Sequence, residues 1–499
     1  MRTLSKTKLL AYRQCPKRLW LEIHKPELRA DSTATQGNFA VGNRVGDLAR
    51  QMYDPKGNGQ LIDIKAEGFA GAFERSRELL AASGPIFEAG FAADGAMAFA
   101  DVLLPARKAG KKVWRMVEVK SATSVKDHYP DDVAIQAYVA RKAGVPLSAI
   151  TLAHIDSNWV YPGGGDYQGL LIEKDLTEVA FSREAEVKTW IAAAQGIAAK
   201  RKEPVIATGS HCGKPNLCGF IEYCQSDEPQ AKYPIDWLPN KSPSLNAHIA
   251  KIGITDLRQL TDDLLSVRQL RVKAHTLADQ VYFDTVGAAE DMGVHKLPAY
   301  FLDFETIQFA VPIWKGTTPY QFIPFQFSVH RLSRTGKLDQ KSFLDLSGKD
   351  PSKAFAESLI AQCGERGPVF VYSASFEKPR IKELALRFPR LKTGLLAIND
   401  RVVDLRRVAE QRYYHPSQQG SWSIKNVLPA VAPDLSYEDL EGVQDGGMAM
   451  AAFLEAIAPT TTKTRKNEIE HQLLKYCGLD TFAMVRLWQF FSGRHDFVN

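Results

Sequence analysis

Three groups of residues carry side chains that can do chemistry together. Asp101 precedes the triplet Glu118-Val-Lys120, and a period of two along a strand places Glu118 and Lys120 on one face. Two carboxylates and a lysine are what metal-dependent phosphodiester hydrolysis requires. The acids hold Mg²⁺ or Mn²⁺, the ion lowers the pKa of a bound water, and the ammonium positions that water or neutralises developing charge. Asp303-Phe-Glu305 repeats the pattern on a later strand, while Tyr476 and Asp480, four apart on a helix, share a face. With one more acid, Asp303, Glu305 and Asp480 suit two divalent cations about 4 Å apart; Tyr476 would orient the attacking water. The third group is thiols. Cys212, Cys218 and Cys224 form a C-x5-C-x5-C run, with Cys15 far upstream in YRQCPKRLW. Four thiolates from the two ends of one region suit a [4Fe-4S] cluster, or a tetrahedral zinc ion. Cys363 and Cys477 stand apart and read as small buried residues.

The elements that must position these groups are legible in the hydrophobic pattern. PIFEAGF, AMAFADVLL and KVWRMVEVK read as consecutive strands separated by the turn-rich ADG and RKAGKK. DVAIQAYVARKAG, residues 132–144, reads as a helix ending on Gly, and AITLAHID as a further strand. Residues 229–296 lose strand character. SPSLNAHIAKIGITDLRQLTDDLL fits short helices about a Gly-containing turn, either a helical connector or a DNA-contacting helix-hairpin-helix. From residue 297 the strands PAYFLDFETI, FIPFQFSVHRL and PVFVYSAS precede the helix FEKPRIKELALRF, the segment RVVDLRRV and the long amphipathic helix HQLLKYCGLDTFAMVRLWQFF. YYHPSQQGSWSIKNVLP, with Lys425, reads as a long surface loop or the wall of a substrate groove. The fold class is α/β in both halves: 1–228, a helical connector at 229–296, and 297–499.

Length and composition agree. At 499 residues the chain holds about three units of roughly 150 residues. Lys and Arg exceed Asp and Glu by 63 − 57 = 6, too little for a protein that binds polyanions by bulk charge. The first 60 residues hold eleven Lys/Arg against five Asp/Glu, which leaves room for a local basic face. No apolar run approaches 18 residues and the N-terminus carries no secretory pattern, so the expectation is a cytoplasmic protein with no membrane partner.

Gln136 and Tyr138, on the helix after the Glu-Val-Lys strand, resemble the glutamine and tyrosine of RecB-type nucleases in the PD-(D/E)xK superfamily. The usual spacing there is QxxxY, and here it is Gln-Ala-Tyr. Where many relatives place a metal-binding His or Glu on the preceding helix, this chain has Gly46, and Glu88 is the carboxylate available to replace it. One N-terminal Cys, a nuclease core and three C-terminal Cys resemble the iron-sulfur members of that family. The resemblance implies that Cys15, Cys212, Cys218 and Cys224 carry a structural [4Fe-4S] cluster. The common spacing there is C-x2-C-x5-C, and the longer first interval here keeps zinc as the alternative.

Asp303, Glu305 and the Tyr476-x3-Asp480 ending resemble the DnaQ-like exonucleases of the DEDD type, in an RNase H-like fold. The middle acid there follows an Asn and an aromatic; Ser373 and Glu377 of VYSASFE take those places, with Asp404 as a further ligand or supporting acid. The whole chain resembles an uncharacterised bacterial family that fuses the two halves. What this implies is a nuclease acting on single-stranded or free-ended DNA through Mg²⁺ or Mn²⁺. The alternatives are an RNA-trimming enzyme, or a nucleic-acid-binding protein whose sites have decayed. Protein partners are not legible.

Overall fold

The computed structural model describes residues 2–31, 33–81, 83–226 and 228–494. These divide into two compact units, Met1–Glu228 with Phe309–Gln321, and Pro229–Gln308 with Phe322–Asn499. Both are mixed α/β. Among the described residues, no helix is long and apolar enough to cross a membrane.

The first unit runs β1 (Leu4–Ser5), α1 (Lys6–Gln14), α2 (Pro16–His24), α3 (Thr33–Tyr53), β2 (Gln60–Leu61), α4 (Ile64–Leu79), β3 (Ile86–Ala93), β4 (Ala96–Lys108), β5 (Lys111–Lys120), α5 (Tyr129–Lys142), β6 (Leu147–Ile155), β7 (Leu171–Asp175), α6 (Thr177–Ser182), α7 (Glu184–Ala198) and α8 (Ile221–Ser226). The sheet order is β2-β3-β4-β5-β6-β7, with β1 alongside β4. β3, β4 and β5 are joined by the two-residue turns Asp94-Gly95 and Ala109-Gly110, all four residues at positive φ, which is the hairpin geometry a right-twisted strand pair accepts. Those tight turns fix register. Phe87 pairs with Val102, and Val102 with Val117, so one step along sets Glu88 across from Asp101 and Asp101 across from Glu118. α5 then crosses over to bring β6 parallel to β5. It is buried nearly all round, as a helix sandwiched between layers is.

Phe309–Gln321 is continuous in sequence with the second unit's strands yet packs as part of the first. Ala310 and Val311 are buried with Val45, Leu48, Ile155 and Leu170. Tyr161 donates its N–H to the Thr317 carbonyl (3.0 Å) and accepts from Gly316 N–H (2.8 Å), and the Tyr320 hydroxyl donates to the Ser121 carbonyl.

The second unit runs α9 (Pro243–Ile252), α10 (Val267–Ala278), β8 (Tyr282–Phe283), α11 (Thr285–Gly293), β9 (Ala299–Ile307), β10 (Ile323–Leu332), β11 (Leu338–Leu344), α12 (Ser352–Gln362), β12 (Val369–Val371), α13 (Ala374–Arg387), α14 (Lys392–Asp400), β13 (Val402–Asp404), α15 (Leu405–Arg412), β14 (Tyr413–Tyr414), α16 (Ile424–Val431), α17 (Gly446–Ile457) and α18 (Lys463–Ser492). Its sheet order is β11-β10-β9-β12-β13, antiparallel over the first three strands and parallel over the last three.

Residues 229–296 are integral to this second unit. β8 pairs with β14, Arg412 forms ion pairs with Asp284 and Asp291, and the Thr276 and Tyr414 hydroxyls meet at 2.6 Å. The segment is no helix-hairpin-helix of two α-helices: Gly253 (φ 74°) ends α9, and only 3-10 turns follow before α10. The YYHPSQQGSWSIKNVLP stretch is structured too, as β14 and most of α16, with Trp422 buried. Gly420 explains part of this fit. It sits at φ 75°, and a Cβ there would overlap the Trp237 carbonyl oxygen. Gly420→Ala is therefore expected to lower stability by about 2–4 kcal/mol, read by chemical denaturation, through both strain and overlap.

Candidate functional site

β9 presents Asp303 and Glu305 on one face. The neighbouring strand β10 alternates apolar Phe325, Phe327 and Val329 with Gln326, Ser328 and His330. These three polar residues are buried, and α18 satisfies them: Gln326 Nε2 donates to the Leu473 carbonyl (2.7 Å), while Ser328 Oγ and His330 Nδ1 each meet Thr481 Oγ1 at 2.8 Å. Fixing α18 there carries Asp480 to the acids of β9. One carboxylate oxygen from each of Asp303, Glu305 and Asp480 lies within 4.8 Å of the other two.

Three carboxyls this close and this buried resist ionisation. Burial first, then the charges of Asp480, Glu305 and Glu377, hold Asp303 well above the usual carboxylate range. Burial and Asp480 push Glu305 up to about 8. Burial pushes Asp480 up to about 6, opposed by hydrogen bonds from Tyr437 and Tyr476 and by the charge of Lys425. The Tyr437 hydroxyl donates to Asp480 Oδ1 at 2.6 Å. The Lys425 ammonium lies 5.2 Å from the Tyr437 ring and 5.7 Å from that of Tyr476, and donates to the Gln444 carbonyl (2.7 Å). Cys477, buried as expected, touches the site, its thiol 3.7 Å from the Asp303 carbonyl.

Glu377 and Asp404 divide differently. Glu377, in the first turn of α13, is 2% exposed, and its Oε2 has no hydrogen-bond partner among the described residues. Burial, with Asp404 adding, pushes it up to about 8. It lies outside the close-packed trio while still acting on Asp303. Asp404 is a capping residue: its oxygens accept the N–H groups of Ser373, Ala374 and Arg406, each at 3.0 Å. The carboxylate that the sequence offered as a metal ligand thus already serves three backbone donors, two on Oδ1 and one on Oδ2.

In the first unit, Glu118 is 1% exposed and fully engaged. Its Oε1 accepts from Lys6 (2.9 Å) and Lys120 (2.5 Å), and its Oε2 from Gln136 (2.6 Å). Asp132 completes the network, taking Lys6 at 2.9 Å, Lys120 at 2.6 Å and Gln136 at 3.0 Å. Burial would lower both ammoniums, but Asp132 and Glu118 more than offset it and hold Lys6 and Lys120 high. Burial and the Glu118 charge hold Asp101 well above its ordinary value; its Oδ2 accepts Val119 N–H at 2.7 Å. Glu88 stands next in the row at φ 57°, a costly backbone for a non-glycine residue, with Arg50 of α3 3.8 Å away. Gly46 faces open space. Tyr138 does not join: two residues from Gln136 on a helix is the opposite face, and its hydroxyl donates to Asp94 (2.6 Å). Among the described residues, these acids do not close to within 4.8 Å as the second unit's do.

Cys15, Cys212, Cys218 and Cys224 line one cavity, with Lys17, Arg18 and His211. Gln14 ties its two ends together, donating to the carbonyls of His211 (2.8 Å) and Asn216 (2.9 Å). Burial pushes the Cys218 and Cys224 thiols up, while Arg18 and Lys17 favour their thiolates. All four sulfurs are described, and no three of them come within 4.8 Å of one another.

Three residues of these sites escape sequence reasoning. Asp132 had a signal, its i, i+4 relation to Gln136; Lys6 and Tyr437 had none, while Lys425 already reads as part of a surface loop or of a groove wall. The class these centres define is a mixed α/β protein with a buried acid trio able to hold a cation and a separate ion-paired carboxylate network. The family model described as "Domain of unknown function (DUF2779)" matches residues 300–423, which include Asp303, Glu305 and Glu377 and stop short of Asp480. "Uncharacterized protein MG366" of Mycoplasma genitalium is 26% identical over 214 residues, covering 38% of this chain and 31% of that protein. The chain thus spans less than a third of that relative's length.

Because Glu305 titrates near 8 and Asp480 near 6, protons compete with a cation below those values, so the rise in Tm produced by Mn²⁺ is expected to grow between pH 6 and pH 8.5. Asp132→Ala leaves two buried ammoniums short of a carboxylate and is expected to cost about 3–5 kcal/mol in denaturant unfolding.

Proposed function

We propose that the chain is a metal-dependent nuclease whose hydrolytic centre is in the second unit, an RNase H-like domain of DEDD type. The observation that supports this most is the convergence of Asp303, Glu305 and Asp480 in a buried site, an arrangement of like charges that a divalent cation relieves. A cation bound there supplies an activated water and screens the phosphate. The chain's own residues do the rest. Tyr437 and Tyr476 orient Asp480, Lys425 places a fixed positive charge beside Glu305 and Asp480, and Glu377, whose charge acts on Asp303, offers a buried oxygen without a partner among the described residues. The substrate is DNA with a free or single-stranded end, with RNA as the alternative polymer.

For the first unit, the row of Glu88, Asp101 and Glu118 with Lys120 and Gln136 supports a PD-(D/E)xK core. Lys6 favours a second reading of that core. By sharing Glu118 with Lys120 it holds the site in an ion-paired state, suited to binding nucleic acid without cutting it. That no three of the four cysteine sulfurs lie within 4.8 Å of one another supports a [4Fe-4S] cluster over zinc. Tetrahedral zinc with bonds of about 2.3 Å needs sulfurs about 3.8 Å apart, and a cluster of four irons spreads its thiolates more widely.

The test uses end-labelled single- and double-stranded DNA and matched RNA with Mn²⁺. Asp303→Asn and Asp480→Asn are expected to lower cleavage at least about a hundredfold, and Lys120→Ala less than about tenfold. A Lys120→Ala/Asp303→Ala protein that cuts at the wild-type rate would sink the proposal. Anaerobically purified protein is expected to be coloured, with four irons per chain; colourless protein with stoichiometric zinc would remove the cluster.

A further inference from the structure

The sheet edge that carries Asp303 also carries a cationic groove. β9, β12 and β13 are parallel, and their registers bring Asp303 level with the end of β12, where α13 begins, and Val371 beside Asp404, where α15 begins. An open cavity of about 570 Å³ lies between the starts of these two helices. Its walls carry Lys378 and Lys382 from α13 and Arg406 and Arg407 from α15. In open sheets with parallel strands, ligands bind beyond the carboxyl ends of the strands, which is where this cavity opens.

The charges there are unbalanced. Arg406 is paired with Glu410 at 3.0 Å, and Glu410 is shared with Arg268 at 3.1 Å. Asp404 faces the cavity too, but its oxygens already accept three backbone N–H groups. Among the described residues Lys378, Lys382 and Arg407 have no carboxylate within 4.0 Å, and Lys378 and Lys382 are four apart on one helix face, a repulsive spacing. Three unpartnered cations around one concavity are stabilised by a bound polyanion.

We propose that this groove binds the phosphodiester backbone of the nucleic-acid strand whose end enters the acid site. The proposal rests on the nuclease reading and adds the path of the substrate. β13 lies two strand spacings from β9, roughly 10 Å. That is too far for the scissile phosphate and suits phosphates farther along the strand. Cleavage therefore depends on substrate length, and the groove contributes affinity without sequence preference.

The experiment compares a 12-nucleotide single strand with a dinucleotide. Binding is measured by fluorescence anisotropy in an Asp303→Asn background, and cleavage in the otherwise wild-type protein. The triple variant Lys378→Ala/Lys382→Ala/Arg407→Ala is expected to bind the 12-mer about tenfold or more weakly. Its slope of log K against log salt should be shallower by about 2, from roughly 0.7 per cation on single strands. Its kcat/KM on the dinucleotide should stay within about twofold of wild type. The pair Lys382→Ala/Arg407→Ala, confined to exposed positions, should show about two thirds of the slope change and guards against misfolding. An unchanged slope and affinity, or an equal loss on 12-mer and dinucleotide, would overturn the groove while leaving the nuclease standing. Protein with an intact groove that neither binds nor cuts either substrate would overturn both.

Discussion

Everything in the second unit is arranged around an unfavourable contact: three carboxyls gathered where water is scarce. Left alone, such a group would push its members apart or keep them protonated. The fold opposes this by locking the element that brings the third acid. The polar stripe of Gln326, Ser328 and His330 would be costly on a buried strand without partners, and α18 supplies them through Leu473 and Thr481. Hydrogen bonds that satisfy a strand thus fix Asp480 to within one turn of a helix. Tyr437 and Lys425 then act on Asp480 itself, one by donating to it and one by its charge.

The first unit treats a similar set of acids in the opposite way. Its two-residue hairpin turns align Glu88, Asp101 and Glu118 across three strands, but there the negative charge is answered from within the chain by Lys6, Lys120 and Arg50. A buried pair of this kind gains little net stability, yet loses much when one partner is removed. The contrast between the units is therefore one of compensation: internal ammoniums in the first, and in the second a cluster only partly offset by Lys425.

Much of this was legible because strand and helix periods are short-range rules. Asp303 with Glu305, Glu118 with Lys120, and Tyr476 with Asp480 are each related by a fixed offset within one element, and the sequence pattern placed those elements well. Tyr138 fell to the same arithmetic, since an offset of two on a helix turns it away from Gln136. What was not legible depends on contacts between distant segments. Lys6 reaches Glu118 across more than a hundred residues of chain, and Tyr437 reaches Asp480 from a stretch with no regular element. Asp404 read as a ligand because its type allows it; its capping of the Ser373, Ala374 and Arg406 N–H groups depends on where those residues lie and has no sequence signal. The 229–296 segment read as a connector because its helices are short, and its packing through β8, Asp284 and Asp291 has no local signature.

Phe309–Gln321 bears on how this chain can be divided. The segment sits between the strand that carries Asp303 and Glu305 and the next strand of the same sheet, yet it contributes Ala310 and Val311 to the first unit's interior. A cut at residue 228 would leave the first fragment with a gap in its core and the second with an orphaned apolar loop. The halves are not interchangeable beads. Exchange of one half alone, by recombination or by design, would have to carry this segment with the first unit or leave that unit's core incomplete.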